Sequence, residues 1–435
     1  MKHTAEHLQS LHEGQRVTVI QPGARLHYGL PQALAKAGLL RTLHTDLHGE
    51  HPVLRALSAT LPTAMTPKPL RRLLGRRLPA DLPKHRVKES AAATLFDTAA
   101  SAVGMPGASR PRVTAAILKG VERAPLGPGD VVYTLLVNED VEALERLKAR
   151  GVRIVHEVLV NPDVATRLLA EHVRHDRPDG APDPTITEKG RLRDKAKHAL
   201  ADLVIAPSTF TANAIKALSP GAPVTVVPYG LDRQRFAAEP CPQPGRILSV
   251  GTVGLLKGHP DLAAATRQLK RACPGSSVRV AGPFSQVWRD DPLFDGPTYL
   301  GQVPRRDILE EYRKADVFAF PTLCDSFGLV LVEAMFMGVP VVCTPHCGDV
   351  VRDGVDGFVV PAGDSDALFQ RLREIVEDRA LRAFLSENAR QRARAFSLEA
   401  YGERLVSALA PLLAPMPSLK APARAVPAAA VLVQT

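Results

Sequence analysis

Short apolar runs alternate with longer segments of helical period along residues 16–228, and the same alternation starts again at residue 246. In the first stretch the apolar runs are RVTVI (16–20), DVVYTLL (130–136), VRIVHEVLV (152–160) and DLVIAPS (202–208). In the second they are RILSVGTV, SVRVAGP, DVFAFPT and VPVVCT, separated by segments such as HPDLAAATRQLKRA and RRDILEEYRKA. Strand and helix in alternation give mostly parallel sheets covered by helices on both faces. Between the two stretches, VTVVPYGLDRQRFAAEPCPQPGR (224–246) ends a strand at Pro228-Tyr229-Gly230 and turns proline-rich, as a linker does. The expectation is an α/β chain of two doubly wound domains facing a central cleft: residues 1–228, a linker at 229–245, and residues 246–395. A helix at 396–413 is placed back against the first domain, and an Ala/Pro tail at 414–435 is expected to be disordered. RHDRPDGAPDPTI (174–186) reads as a polar loop. Ligands in such folds bind at the carboxyl ends of the strands, where loops meet helix N-termini.

Composition narrows the classes. A length of 435 residues suits two domains, and 45% apolar with 23% charged residues is ordinary for a globular chain. No run approaches the roughly 18 apolar residues of a membrane span, and MKHTAEHLQSLHEGQ is polar, so a cytoplasmic protein is expected. The five cysteines lack zinc-type spacing and read as structural thiols. The net charge of +10 favours anionic partners. It is concentrated in KPLRRLLGRRLPADLPKHRVK (68–88), where Leu70, Leu73, Leu74 and Leu78 recur at helical spacing beside arginines. One reading is a basic amphipathic helix on the inner, anionic face of the cytoplasmic membrane. The plainer one is a solvated face whose leucines pack on the core. Nucleic acid is not expected as a partner, because no recognition motif or stacking-aromatic pattern accompanies the charge.

The stretch PTLCDSFGLVLVEAMFMGVPVV (321–342) carries two acids inside an apolar frame. Pro321 ends a buried strand, residues 322–328 form a loop, and a helix begins at Gly328. The free amides and the dipole of a helix start make an anion site suited to phosphate. Asp325 stands just before it and Glu333 about one turn inside. A carboxylate so placed accepts hydrogen bonds from neighbouring hydroxyls, such as those of a ribose. Asp325 as a plain helix cap and Glu333 as a surface residue are the alternatives. However, a carboxylate flanked by Leu331, Val332, Ala334 and Met335 is costly unless it is paired or faces a cleft.

This stretch resembles the signature of retaining GT-B glycosyltransferases, family 4 in particular: Glu-Gly-Phe-Gly, four residues, then Glu-Ala-Met. Asp325 and Ser326 replace the first Glu and Gly, while Phe327, Gly328, Glu333, Ala334 and Met335 match. ADLVIAPSTFTANAI, VTVVPYGLDRQRF, SVGTVGLLKGHPDLAAA, LGQVPRRDILEEYRKADVFAFPT and VVRDGVDGFVVPAGD are similar to further family segments, in family order. The resemblance implies two Rossmann-like domains. It also implies transfer of a hexosyl group from a nucleotide-diphosphate sugar to a glycan or lipid-linked acceptor, as in envelope or exopolysaccharide synthesis. It assigns Asp325 to the donor sugar, Glu333 to the ribose, and the amides of Ser326, Phe327, Gly328 and Leu329 to the diphosphate. Gly251, Lys257 and Gly258 match the donor loop, with Thr252 at a position where the family has Arg. Lys257 is then the cation beside the leaving diphosphate, or else an ordinary surface lysine. His156 stands where a family histidine faces the transferred sugar, or is a core histidine; Glu157 is its weaker neighbour. The first loop, Gly23 to Gly29, lacks the family's double glycine, and HCGDVVRDG (346–354) is shorter than the family loop.

No cofactor and no metal are expected. The D-x-D in GDSDA (363–367) reads as helix capping by Asp364 rather than as a metal site. Two other classes stay open. One is a catalytically weak nucleotide-sugar-binding homologue, which Asp325 and Thr252 permit. The other is an NAD-dependent oxidoreductase, which the glycines at 251, 254 and 258 disfavour because their spacing is not that of a dinucleotide fingerprint.

Overall fold

The computed structural model describes residues 17–60, 66, 68–102, 110–136, 141–159, 164 and 184–414. The polar loop at 174–186, but for its last three residues, and the tail beyond Ala414 lie outside them. Among the described residues the first sheet has seven strands: β1 (Val17–Ile20), β2 (Leu40–Thr45), β3 (Val87–Glu89), β4 (Val131–Thr134), β5 (Arg153–Glu157), β6 (Leu203–Ala206) and β7 (Val224–Val226). The second has six: β8 (Arg246–Val250), β9 (Ser277–Ala281), β10 (Thr298–Gly301), β11 (Val317–Phe320), β12 (Val341–Cys343) and β13 (Gly357–Val359). All pairings are parallel, in the orders β3-β2-β1-β4-β5-β6-β7 and β10-β9-β8-β11-β12-β13. The central strands β1, β4, β6, β11 and β12 are buried along their length, as both-face coverage by helices requires.

In each sheet the strand order reverses direction once, between β1 and β4 and between β8 and β11. Side-by-side loops that diverge at such a point open a crevice at the carboxyl ends of the strands. The two sheets turn these ends toward each other: loops after β5 and β6 meet loops after β11 and β12 through hydrogen bonds described below. A shared core runs across the junction. Tyr229 packs edge-on against Phe327 with ring centroids 5.3 Å apart, and Phe327 packs against Phe396 at 5.8 Å.

The chain crosses between the sheets twice, and the crossings pair with each other. Leu231 N donates to Phe396 O (2.9 Å), and Leu398 N donates to Leu231 O (3.0 Å). The Leu398–Leu413 helix then lies against the Gly29–Lys36 helix of the first domain, with Arg404 Nη2 donating to Pro228 O (3.0 Å).

The basic segment is not one amphipathic helix. It forms a short helix, Lys68–Leu74, a loop, a 3-10 turn, Lys84–Arg86, and then β3. Gly75 ends the first helix, and Pro79 and Pro83 prevent its resumption. Leu70, Leu73 and Leu78 are buried in the first domain. Arg76 is paired with Asp46, and Arg86 donates to Leu40 O. The segment therefore presents charge at the surface, through Arg71, Arg77 and Lys88, and keeps its apolar side inside. Among the described residues no helix is long and apolar enough to cross a membrane.

Candidate functional site

The loops that follow β8 and β11, the two strands at the reversal point of the second sheet, meet to form the site. The β8 loop enters through Gly251 and Thr252, makes a 3-10 turn, Leu255–Lys257, and passes into the His259–Ala272 helix at Gly258. It is held on the β11 loop by Leu256 O, which accepts from Leu323 N (2.9 Å) and Thr322 Oγ1 (3.0 Å). Gly258 is required there twice over. Its φ is +66°, and a Cβ on it would fall inside the Pro321 carbonyl group.

This docking carries the Lys257 ammonium onto Asp325. Nζ lies 2.5 Å from Asp325 Oδ2 and 3.4 Å from Cys324 O, and 5.6 Å from the centre of the Phe320 ring. The other carboxylate oxygen, Oδ1, accepts from Phe327 N (3.0 Å) and Gly328 N (2.7 Å). Burial opposes ionisation of Asp325, but the Lys257 charge and the two amides outweigh it and hold the carboxyl below its ordinary range. Asp325 thus caps the loop through two amides and at the same time faces the Lys257 ammonium. Two of the four amides that the resemblance assigns to a diphosphate are taken by this carboxylate. Gly328, with φ +70°, turns the chain into the Leu329–Phe336 helix.

That helix buries Leu331, Val332, Ala334 and Met335 and leaves Leu329, Val330, Glu333 and Phe336 on its partly open side. Glu333 is therefore on the one face of an apolar helix where a carboxylate is tolerated. Tyr312 Oη donates to its Oε2 (2.7 Å), and burial together with the Glu333 charge raises the Tyr312 hydroxyl well above its ordinary value. Arg235, from the linker, also feels the Glu333 charge, and Phe236 stacks on Phe336 at 5.9 Å.

His156 is not joined to this group. It lies in β5 with its ring 6.0 Å from that of His198 on the Pro184–Leu200 helix. Burial first, then Lys197 and His198, push it well below its ordinary value, so it is neutral at pH 7. Its neighbour Glu157 points to the domain junction, where it accepts from Tyr133 Oη and from Tyr229 Oη (2.6 Å); burial raises it despite nearby Arg25. The first loop is strained: Leu26, His27 and Tyr28 all have positive φ. Gln21 Nε2 supports it by donating to Gly23 O and Arg25 O, both at 3.1 Å. Asp364 caps the Ser365–Glu377 helix by accepting from the amides of Asp366 (3.1 Å) and Ala367 (2.8 Å).

Sequence reasoning missed the side chains that join the domains here. Ser208, Thr209 and Thr211, at the start of the Thr209–Leu218 helix, bond to Ser326 and Asp349. The PSTFT signature of a capped helix start was visible, but the partners it would meet were not.

The family model for glycosyl transferases group 1 matches residues 232–392, which hold both loops and Glu333. Among curated proteins, a glycogen synthase of Mycobacterium tuberculosis is 29% identical over 182 residues, 39% of this chain and 44% of its own length. Among solved structures, sucrose-phosphate synthase from Thermosynechococcus elongatus superposes with a TM-score of 0.62 at 20% identity, over 92% of this chain and 99% of that one. The Anabaena protein HepE, solved in complex with UDP, gives 0.58 at 15% identity over 91% and 100%. These likenesses show the fold, which is GT-B. A D-inositol 3-phosphate glycosyltransferase of Actinosynnema mirum is 30% identical over 325 residues, 68% of this chain and 75% of its own length. With that extent of similarity, and with the family match lying on the loops that build the site, the chain belongs to the glycosyl transferases group 1 family.

Proposed function

We propose that this chain is a retaining glycosyltransferase of family 4 that moves a hexosyl group from a nucleotide-diphosphate sugar to a glycan or lipid-linked acceptor in envelope or exopolysaccharide synthesis. The observation that carries the reading is the convergence of Lys257, Asp325 and the Gly328 helix start at the reversal point of the second sheet. Relatives named glycogen synthase and D-inositol 3-phosphate glycosyltransferase, and a fold relative solved with UDP, support a nucleotide-sugar donor.

In this reading the bond between the anomeric carbon and the diphosphate oxygen breaks, and its electron pair goes to the diphosphate. The acceptor oxygen bonds to the same face of the sugar and gives its proton to the departing phosphate oxygen, which retains the anomeric configuration. Lys257 and the helix start stabilise the negative charge that grows on the diphosphate. That cationic environment takes the part of a metal, so turnover persists in EDTA. The incoming phosphates compete with Asp325 for Lys257 and for the amides of Phe327 and Gly328. Asp325 then turns to the sugar hydroxyls. An anionic membrane face is a further partner we propose for the 68–88 segment, through charge alone; liposome binding that survives high salt would exclude that mode.

The test is a panel of uridine, guanosine and adenosine diphosphate sugars, scored for thermal stabilisation, hydrolysis and the anomeric configuration of the product by proton NMR. Absence of stabilisation and of turnover across the panel overturns the reading. Two variants sharpen it. Glu333→Ala, which removes the proposed ribose acceptor and strands the Tyr312 hydroxyl, is expected to weaken donor binding by about 10- to 100-fold. Unchanged turnover in that variant rejects the ribose assignment. Asp325→Ala frees Lys257 and two amides, so a nucleoside diphosphate should bind about three- to tenfold more tightly while sugar transfer falls. Calorimetric titration that shows equal or weaker binding removes the competition.

A further inference from the structure

We propose that Ser208 and Thr211, in the first domain, are positioning residues that set Asp325 in the second domain by fixing the peptide plane between Ser326 and Phe327. The inference rests on the site reading above. Ser326 O accepts from Ser208 Oγ (2.7 Å) and from Thr211 Oγ1 (3.2 Å). The N–H of the same peptide unit, that of Phe327, donates to Asp325 Oδ1 (3.0 Å). A peptide unit is planar and stiff, so the direction of its carbonyl dictates the direction of its N–H. The first domain therefore aims the amide that holds Asp325, and Asp325 in turn meets Lys257.

The two hydroxyls are well placed for this. Both residues are 1% exposed, and Ser208 is the N-cap of the Thr209–Leu218 helix, its Oγ accepting from Thr211 N (3.2 Å). Burial and the cap bond hold both side chains within the first domain. Three further ties bring that helix start and the adjoining strand exit onto the same two loops. Ser326 Oγ donates to Leu159 O (2.8 Å), in the exit from β5. Thr209 N and Oγ1 donate to the Asp349 carboxylate (3.1 Å and 2.7 Å), which sits at the positive end of the helix. Phe210 stacks on His346 at 5.2 Å, and His346 O accepts from Asp325 N (2.8 Å). The loop at 346–354 thus sets Asp349 on this helix start. Separation of the domains would release the Ser326 carbonyl and let the peptide rotate, so the Asp325 arrangement is complete only while the domains are together.

The experiment compares the full chain with Thr211→Val, Ser208→Ala/Thr211→Val and the conservative Thr211→Ser. Amide hydrogen exchange at Phe327 and Gly328 is read without nucleotide. The Kd for the nucleoside diphosphate and kcat for hydrolysis are read with the donor that stabilises the parent chain most. Thr211→Val is expected to speed exchange at those two amides by about tenfold and to lower kcat by about tenfold, with Kd within about threefold. Thr211→Ser is expected to restore both. Unchanged exchange in Thr211→Val and in the double variant overturns the proposal. So does acceleration spread evenly over the second domain, which would report lost stability, and so does failure of Thr211→Ser to restore the parent behaviour. If the parent chain turns over no nucleotide sugar, the functional reading fails by itself, and the exchange data still decide this proposal.

Discussion

Lys257→Ala is expected to lower donor turnover by about 10²- to 10³-fold, the range seen when one preorganised stabiliser of a developing oxyanion is removed. The ammonium is held 2.5 Å from Asp325 and beside the Cys324 carbonyl, on a loop docked onto the neighbouring strand's exit. Its loop is thus fixed before any phosphate arrives, and a phosphate has only to displace the Asp325 carboxylate to meet the ammonium. Thr252, where the family has Arg, is exposed, so no second cation from this loop shares the load. Lys257→Arg is not expected to rescue, because a planar guanidinium differs in shape and reach from a compact ammonium held at one point. Steady-state kinetics with the best donor of the panel give the measurement. Turnover within about threefold of the parent would return Lys257 to the status of a surface residue.

Gly258→Ala is expected to be the most damaging single methyl in the second domain. The position has φ +66°, and the added Cβ would run into the Pro321 carbonyl group. Left-handed backbone costs a non-glycine residue about 1–2 kcal/mol, and the clash adds to it, for a total of about 2–4 kcal/mol. The loop can relieve the clash only by lifting off the β11 exit, which breaks the bonds to Leu256 O and withdraws Lys257 from Asp325. Stability and turnover should therefore fall together. Gly254→Ala is the control: its backbone is extended, with φ 168°, and nothing lies within 4 Å of an added Cβ. Urea midpoints for the two variants should differ clearly, and equal midpoints would refute the packing role.

How much of this was legible beforehand depended on range along the chain. The buried central strands announce themselves as apolar runs, because both faces are covered. β3 and β10 are half-exposed edge strands of VKE and TYLG, with nothing apolar enough to mark them. The leucine spacing of the basic segment fitted two readings, and the plainer one holds: Leu70, Leu73 and Leu78 pack inside while the charge stays outside. At the site, Asp325, Gly328 and Glu333 sit in one strand–loop–helix unit, so local rules locate them. Ser208 and Ser326 are 118 residues apart, and Thr209 and Asp349 are 140 apart. Their meeting depends on how two sheets face each other, which no local period encodes. The fold-back of Asp325 onto the amides of Phe327 and Gly328 was hidden as well, because the apolar pattern of the stretch does not say which way a loop carboxylate turns.

The pairing of the two crossovers makes the second domain an insert. Its ends leave the first domain at Leu231 and return at Leu398, where the backbones are hydrogen-bonded to each other. The family match at 232–392 falls wholly within those ends. A chain wired this way behaves like a socket and plug. Two adjacent cuts release the whole second domain, and a relative's second domain could be grafted between the same two points without re-routing the host. The junction constrains such a graft through the Ser326 carbonyl and Asp349, which the host helix grips, and through the packing of Tyr229 on Phe327 and of Phe210 on His346. Under the proposed function, donor and acceptor preferences would then be separable by recombination, provided that a compatible pair of halves keeps the contacts across the junction.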